Sequence, residues 1–285
     1  MNLFDETKYI LKKYGITANK SLGQNFLINE EVVSGIVEKA EISKEDLVIE
    51  IGPGLGTLTK ELLEKAGKVI AIELDKRMIE ILTDRFKLYN NFELLNEDVL
   101  KVDLDALINN NLDENIKKAK IVANLPYYIT TPIIMKLLEE KLPIETITVM
   151  IQKEVADRLV DLPGGKNSGA ITYSVYYYAK AEEILKVASN SFIPEPAVES
   201  KVIKLEIRKE NAVKVENEKI MFKIIKYAFM QRRKTVVNAL EKTDIFKDKN
   251  QIIEILKKLG INEKIRGEAL SLEDYANISN FVTKM

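Results

Sequence analysis

The chain has 285 residues, carries 43 basic against 44 acidic side chains, and contains neither cysteine nor histidine. A chain of this length forms one large domain, or one domain with a smaller appendage. The absence of Cys and His excludes disulfides, thiolate nucleophiles, zinc sites built from these residues and every mechanism that needs an imidazole base. We therefore expect no metal, and a chemistry that relies on carboxylates, amides, aromatic rings and backbone groups.

The N-terminal residues carry mixed charges and lack the apolar core of a signal peptide. No apolar run reaches the roughly 18 residues that a membrane-spanning helix needs. The sequence thus predicts a cytoplasmic protein without a membrane partner. Nothing in it indicates an oligomer, so a monomer is the expectation.

Short apolar runs alternate with helix-period segments from about residue 30 to residue 160. This alternation predicts a parallel α/β sheet that is covered by helices on both faces. Two later runs, at 171–179 and 200–208, predict further strands. The earlier predicted strands lie at 47–51, 68–74, 92–99, 120–125 and 146–151, and the predicted helices between them lie at 57–67, 76–88 and 132–142.

The C-terminal part differs in both pattern and charge. After Lys209 only helix-period segments follow, and residues 208–285 hold 17 Lys and Arg against 11 Asp and Glu. We therefore predict two domains, a catalytic domain over 1–209 and a helical domain over 210–285. The positive charge of the second domain suits an anionic partner such as nucleic acid, although charge alone is equally typical of a solvated helical surface.

A glycine-rich turn after the first predicted strand indicates the class of cofactor. Residues 50–56 read EIGPGLG, and Thr57 stands where a dinucleotide-binding turn would continue towards its third glycine. The shorter spacing lacks the usual pyrophosphate motif and suits a nucleoside cofactor without phosphates, of which S-adenosyl-L-methionine (SAM) is the foremost. A purely structural tight turn is the other interpretation of this motif by itself.

Polar residues at the ends of the following strands strengthen the cofactor interpretation. Glu73 lies 21 residues after Gly52, where an acid can accept both hydroxyls of a ribose, and we expect its side chain at a solvent-accessible strand end. Asp98 and Asn124 follow the next two strands. Because ligands of open α/β sheets bind at the carboxyl edge of the strands, we expect these four residues to share one site.

The segment Asn124-Leu125-Pro126-Tyr127 predicts the reaction site. An adenine amino group is a poor nucleophile because its lone pair is delocalised into the ring. The amide oxygen of Asn124 and the neighbouring carbonyl of Leu125 would each accept one amino hydrogen, while Pro126 stiffens the backbone. Tyr127 offers a ring face on which an extruded base can stack. A strand-end turn without chemistry is the alternative.

Asn-Leu-Pro-Tyr resembles the acceptor motif of amino-directed adenine methyltransferases. Three further stretches resemble the ribosomal RNA adenine dimethyltransferases that act on small-subunit RNA, and the similarity runs from about Tyr14 to the C-terminus. These stretches are KSLGQNFL at 20–27, FIPEPAVES at 192–200 and QRRKT at 231–235.

The resemblance implies a Rossmann-like class I SAM-dependent methyltransferase sheet with a small C-terminal all-helical domain. The implied reaction is two methyl transfers to each of two adjacent adenines in a loop of small-subunit (16S) ribosomal RNA, on the assembling small subunit. The target adenine would lie between Tyr127 and Phe192. The implied SAM contacts are Asn25, Leu27, Gly52, Glu73, Asp98 and Asn124, and the implied RNA contacts are Arg232, Arg233 and Lys234.

The sequence departs from the family pattern at two places. In the family the stretch at 192–200 usually reads FxPPPKVDS, whereas this chain has Glu195, Ala197 and Glu199 at three of its positions. In addition, Ser168 stands where a tyrosine is typical. Two rival functions remain open on the residues alone. One is a large-subunit methyltransferase of the macrolide-resistance type, and the other is a non-catalytic RNA-binding assembly factor on the same scaffold.

Overall fold

Short strands alternate with helices through the first two thirds of the protein, whose computed structural model describes residues 2–19 and 22–284. Where a predicted run and a strand coincide, the strand begins within two residues of the run and ends within four. They are β1 (Phe26–Leu27), β2 (Asp46–Ile51), β3 (Lys68–Ile72), β4 (Phe92–Leu95), β5 (Lys118–Asn124), β6 (Thr146–Gln152), β7 (Ala179–Val187), β8 (Phe192–Ile193) and β9 (Ser200–Ile207).

Helices separate consecutive strands from β1 to β7, and the part of the chain after β9 contains helices but no strand among the described residues. Short 3₁₀ turns also occur, including one at Tyr127–Ile129. The helices are α1 (Leu3–Lys13), α2 (Glu30–Lys39), α3 (Thr57–Lys65), α4 (Lys76–Phe86), α5 (Leu104–Asn109), α6 (Thr130–Glu139), α7 (Lys153–Val160), α8 (Ala170–Tyr178), α9 (Glu218–Met230), α10 (Val236–Leu240), α11 (Lys249–Lys258) and α12 (Leu272–Thr283).

The main sheet has the topology of a doubly wound α/β fold. Within the described residues its order is β4-β3-β2-β5-β6-β9-β7, and β1 pairs with β8 in a separate ribbon. Strands β2, β3, β4, β5 and β6 all run parallel to one another, whereas β9 runs antiparallel to β6. The chain reverses its direction of travel across the sheet between β2 and β5, and ligands bind at such a switch point.

The central strands are apolar because both faces of the sheet are covered. Every residue of β2 is buried, and Val48, Ile49, Ile121 and Val122 are 0% exposed. Burial on both faces explains why these strands read as continuous apolar runs rather than as alternating patterns. The predicted Rossmann-like α/β class is therefore confirmed.

Two compact units divide the chain. The first is formed by Met1–Ala156 and Glu182–Ile207, and the second by Asp157–Ala181 and Arg208–Met285. The second unit resumes at Arg208, next to the predicted boundary at residue 209, and also contains the segment from 157 to 181 that the sequence assigned to the catalytic part. A division into functional domains at residue 209 stays a prediction.

The run at 171–179 was predicted to be a strand, and this prediction is wrong. Residues 170–178 form α8, which begins after Gly169. Aromatic and β-branched residues favour strands in general, but their packing decides the outcome at a given position. The ring of Tyr173 lies 5.3 Å from that of Phe229 and 5.3 Å from that of Tyr275, so α8 contributes to the aromatic core of the second unit. The neighbouring strand β7 was not predicted.

No helix in residues 2–19 and 22–284 combines the length and the apolar character that crossing a membrane requires.

Candidate active site

A cleft opens at the carboxyl ends of β2, β3 and β5 and encloses about 1120 Å³, including space that is open to solvent. The residues predicted to bind the cofactor all line it, namely Asn25, Leu27, Gly52, Glu73, Asp98 and Asn124, as do Leu125 and Tyr127.

The glycine-rich turn needs its glycines for two different reasons. Gly52 has φ +68°, a conformation that other residues rarely adopt, and its Cα faces the cleft with Pro126 as the nearest neighbour of an added Cβ, at 3.9 Å. Gly56 precedes α3, and an added Cβ would lie 2.5 Å from the Phe86 ring of α4. Gly52 therefore leaves room for a ligand, whereas Gly56 allows the helices to pack closely.

Glu73 follows β3, and backbone amides of two different loops hold its carboxylate. Its Oε2 accepts a hydrogen bond from Gly54 N at 3.2 Å, and its Oε1 accepts one from Asp75 N at 2.8 Å. The side chain is only 7% exposed, so the expectation that it lies at a solvent-accessible strand end is wrong. Burial raises the pKa of Glu73, while the hydrogen bonds from Asp75 and Gly54 oppose this rise.

A polar network that the sequence analysis did not identify joins the N-terminal segment to this wall. Gln24 Nε2 donates to Asp75 Oδ2 at 2.8 Å, and the guanidinium of Arg77 bonds the same carboxylate. The Arg77 contact holds the pKa of Asp75 below its ordinary value. Lys20 and Ser21, which begin the KSLGQNFL motif, lie outside the described residues. The remainder of the motif, residues 22–27, lines the cleft.

Glu50 is a second acidic residue that the sequence analysis quoted but did not assign. It belongs to β2, is 2% exposed and lines the cleft, and its Oε2 has no hydrogen-bond partner. Burial raises the pKa of Glu50 to about 8, with a further rise from the charge of Glu73. The signal that could have identified it is a carboxylate inside an otherwise apolar strand.

Asn124 and Leu125 of the acceptor motif both line the cleft. Asn124 Nδ2 donates to the carbonyl of Asn25 at 3.4 Å, which leaves the amide oxygen as the group available to a ligand. The carbonyl of Pro126 is already occupied, because it accepts from Ile129 N and from Thr130 Oγ1. Leu125 N is also engaged, with the Met150 carbonyl of β6, so the Leu125 carbonyl is the backbone acceptor beside Asn124.

Tyr127 and Tyr128 open the 3₁₀ turn that follows Pro126. Tyr127 is partly buried, and its hydroxyl oxygen lies 2.7 Å from Ser200 Oγ, at the start of β9. Burial raises the pKa of its phenol, which the hydrogen bond to Ser200 opposes. Tyr128 is 56% exposed, and Gly23 lies against its ring. Neither Ser200 nor Tyr128 was identified from the sequence.

Phe192 lies outside the cleft in this structure. It is 3% exposed, pairs with Leu27 in the β1–β8 ribbon and belongs to the hydrophobic core. A ring must offer a free face in order to stack on a base, and the core covers that of Phe192 here. Its predicted stacking role therefore stays a prediction and has no support from the cleft geometry.

The basic cluster Arg232-Arg233-Lys234 lies in the turn between α9 and α10, in the second unit. Arg232 forms an ion pair with Glu268 at 3.2 Å and donates to the Ser168 carbonyl at 3.2 Å. Arg233 and Lys234 are exposed and form no ion pair within the described part of the chain. The three residues, which were predicted as one RNA-binding group, therefore differ. Arg232 is bonded to other residues of the second unit, whereas the side chains of Arg233 and Lys234 are exposed without an ion pair in that part of the chain.

A group of acidic residues that could hold a metal ion is also absent from residues 2–19 and 22–284.

Sequence similarity to known proteins extends over almost the whole chain. The family model described as ribosomal RNA adenine dimethylase matches residues 15–284. A ribosomal RNA small subunit methyltransferase A from Clostridium botulinum is 50% identical over 276 residues, which cover 97% of this chain and 98% of that protein. A protein of the same name from Alkaliphilus oremlandii is 47% identical over 279 residues, covering 98% of this chain and 96% of that protein.

Solved structures show the same fold. A dimethyladenosine transferase from Plasmodium falciparum has a TM-score of 0.76 at 27% identity, covering 91% of this chain and 98% of that one. A 23S ribosomal RNA methyltransferase has a TM-score of 0.66 at 23% identity, covering 91% of this chain and all of that one. The second likeness concerns the fold alone.

Proposed function

Since the chain belongs to the ribosomal RNA adenine dimethylase family, whose members use SAM, we propose that it dimethylates the exocyclic amino groups of two adjacent adenines in a loop of small-subunit (16S) ribosomal RNA during ribosome biogenesis. The observation that carries the proposal is that Asn124 and Leu125, whose amide oxygen and backbone carbonyl are the candidate acceptors, line the same cleft as Gly52 and Glu73. The family relation and the site geometry therefore support the same reaction.

The cleft has the chemistry that SAM requires. The cofactor carries a positive sulfonium and a positive amino group, and the cleft wall contains the carboxyl groups of Glu73 and Asp98. Glu50 Oε2 is buried without a partner, which is costly unless a ligand satisfies it. Glu73 is suited to the ribose hydroxyls, Gly52 allows close approach, and Asn25 and Leu27 also line the cleft. SAM, when bound, supplies a methyl group that the sulfonium activates.

The acceptor pair acts on the adenine amino group. Two oxygen acceptors that bond its two hydrogens favour a tetrahedral nitrogen, whose lone pair is then less delocalised into the ring. The acceptors are rigid because Leu125 N is bonded to β6 and the Pro126 carbonyl is bonded to α6. Such preorganisation lowers the barrier without a conformational cost at the moment of reaction. No metal enters this mechanism.

Tyr127 would hold the target base by stacking. Its ring lines the cleft beside the acceptors, and an adenine that leaves its stack needs an apolar face to compensate for lost base stacking. We place the target adenine on this face. Loops of RNA supply such bases most readily, because their stacking is already weak.

The substrate proposal is tested with labelled SAM and four acceptors, namely small subunits that lack the modification, large subunits, duplex DNA and free adenosine. We expect dimethyladenosine in small-subunit RNA only, as identified by mass spectrometry of the digested RNA. A nucleoside lacks the remote phosphate contacts that contribute binding energy, so it should remain unmethylated. Labelling of large subunits would favour the macrolide-resistance type, and no labelling at all would favour a non-catalytic assembly factor.

The helical part, residues 210–285, is proposed to bind the phosphates of this RNA through Arg233 and Lys234. Its basic excess supports the assignment, since phosphate contacts dominate the affinity of nucleic-acid binding. We place the protein in the cytoplasm, because its proposed substrate is the small ribosomal subunit during assembly. We propose that it acts as a monomer.

Changing Arg233 and Lys234 together to Ala should weaken RNA binding and reduce its salt dependence. Each lost phosphate contact should lower the slope of log affinity against log salt by roughly 0.7–0.9 units. Arg232→Ala should instead lower the melting temperature, because Arg232 bonds Glu268 and the Ser168 carbonyl. SAM affinity should not change in either variant.

The control for this experiment is the pair Lys242→Ala and Lys257→Ala, which removes the same charge from two other exposed lysines of the second unit. An equal fall of the salt slope in this control would mean that overall charge, and not the Arg233 and Lys234 pair, governs the affinity.

A further inference from the structure

Ser200 links the acceptor motif, which follows β5, to β9, which lies two strands away in the sheet. Its Oγ lies 2.7 Å from the hydroxyl oxygen of Tyr127, although the two residues are 73 positions apart in the chain. Both belong to the first compact unit. No other side-chain partner of the Tyr127 hydroxyl is present among the described residues.

Ser200 is itself rigidly placed. It is the first residue of β9, is 1% exposed and pairs with Gln152 in the β6–β9 register. The carbonyl of the preceding residue, Glu199, accepts a hydrogen bond from Lys153 N at 3.0 Å, which fixes the entry into the strand. The Ser200 hydroxyl is therefore an anchor on the sheet, whereas Tyr127 lies on a short 3₁₀ turn.

The hydrogen bond constrains the ring of Tyr127 in two ways. It fixes the end of the ring axis that is far from the backbone, so the ring cannot swing about its first side-chain torsion. It also disfavours rotation of the ring about its own axis, because the hydrogen-bond partner of a phenolic hydroxyl, whether donor or acceptor, prefers to lie near the ring plane. Stacking itself needs only the aromatic face, which a phenylalanine would supply equally well.

The hydroxyl of Tyr127 is thus not needed for contact with a base, and its use is to set the ring direction. A base that stacks on a correctly directed ring holds its amino group against Asn124 and Leu125, and a displacement of about 1 Å at such a site lowers turnover strongly. We propose that Ser200 is a positioning residue that holds the ring of Tyr127 in the orientation that stacks the target adenine. This inference rests on the proposed adenine methylation.

The test uses the full-length protein, labelled SAM and small subunits that lack the modification. The variants are Ser200→Ala, Tyr127→Phe and the double variant, and Tyr127→Phe removes the same hydrogen bond without altering the buried strand. Each single variant should lower kcat roughly 3- to 10-fold, which is the scale of one hydrogen bond. The double variant should be no slower than the singles, because only one interaction is lost in all three.

Two further measurements separate positioning from structure. The affinity for SAM in calorimetry should match that of the unaltered protein in each variant, whereas the melting temperature should fall by no more than the loss of one buried hydrogen bond accounts for. The matched control is Ser189→Ala, which removes a serine hydroxyl that donates to Glu195 Oε1 at 2.6 Å. The kcat of this control variant should equal that of the unaltered protein.

Three outcomes overturn the proposal. They are unaltered turnover in Ser200→Ala, unaltered turnover in Tyr127→Phe, and single losses that multiply in the double variant. If Ser200→Ala does not fold, Tyr127→Phe decides alone. If the unaltered protein does not label small subunits, both the proposed function and this role are overturned. If the unaltered protein labels small subunits but the variants behave as above, only the positioning role is overturned.

Discussion

Asn124→Ala should lower turnover about 100-fold or more, which is the scale for removing one preorganised polar group from a reaction site. The amide oxygen acts on the adenine amino group as the nitrogen becomes tetrahedral, so its contribution is made in the transition state. Loss of such an interaction lowers kcat rather than the affinity for RNA. Turnover at saturating small subunits and RNA affinity from a binding assay are the two measurements.

The control for this prediction is Asn91→Ala. Asn91 is also a partly buried asparagine whose Nδ2 donates to backbone carbonyls, those of Leu63 and Ala66, but it lies away from the cleft. Its loss should affect stability only. If Asn124→Ala turns over within a few-fold of the unaltered protein, the amide oxygen does not act on the amino group.

The carboxyl edge of the sheet was predictable because strand order follows from a few rules. Continuous apolar runs separated by helix-period segments are typical of a parallel sheet with crossover helices. Once the strands are parallel, Gly52, Glu73 and Asn124 are expected at one edge, and in the structure they line one cleft. Spacing along the chain therefore contained the location of the site.

Side-chain burial was less predictable because it depends on partners that are distant in sequence. Glu73 was expected to be accessible, but the backbone amides of Gly54 and Asp75 enclose its carboxylate. Phe192 was expected at the cleft, yet the pairing of β8 with β1 places it in the core. Composition describes a residue's preference, whereas these contacts arise only when the chain is folded.

The error at residues 171–179 has a related cause. Three consecutive tyrosines and several β-branched residues suit a strand by propensity, and nothing local opposes that interpretation. The helix is favoured by contacts with other helices of the second unit, including a Tyr177–Phe222 ring pair at 5.3 Å. The hydrogen bond between Tyr127 and Ser200 was beyond prediction for the same reason.

Glu50→Gln should make the stability of the protein less sensitive to pH. Burial raises the pKa of Glu50 to about 8 in the folded protein, whereas the unfolded chain has the ordinary value of 4.5. Below pH 4.5 the side chain is protonated in both states and imposes no cost. Between pH 4.5 and 8 the folded state keeps its proton and the unfolded state loses it, so the free energy of unfolding falls as the pH rises. Above pH 8 both states are ionised and the cost is constant.

The expected slope is about 1.4 kcal/mol per pH unit across this window, because one proton is released on unfolding. Glutamine has no proton to lose, so Glu50→Gln should gain a few kcal/mol over the unaltered protein between pH 5 and pH 8.5. Urea unfolding without cofactor at several pH values measures the difference. The matched control is Glu64→Gln on α3, an exposed position where the two proteins should give parallel curves. Parallel curves for Glu50→Gln as well would mean that Glu50 is ionised in the folded protein, and the unpartnered oxygen in the cleft would then carry a charge before any cofactor binds.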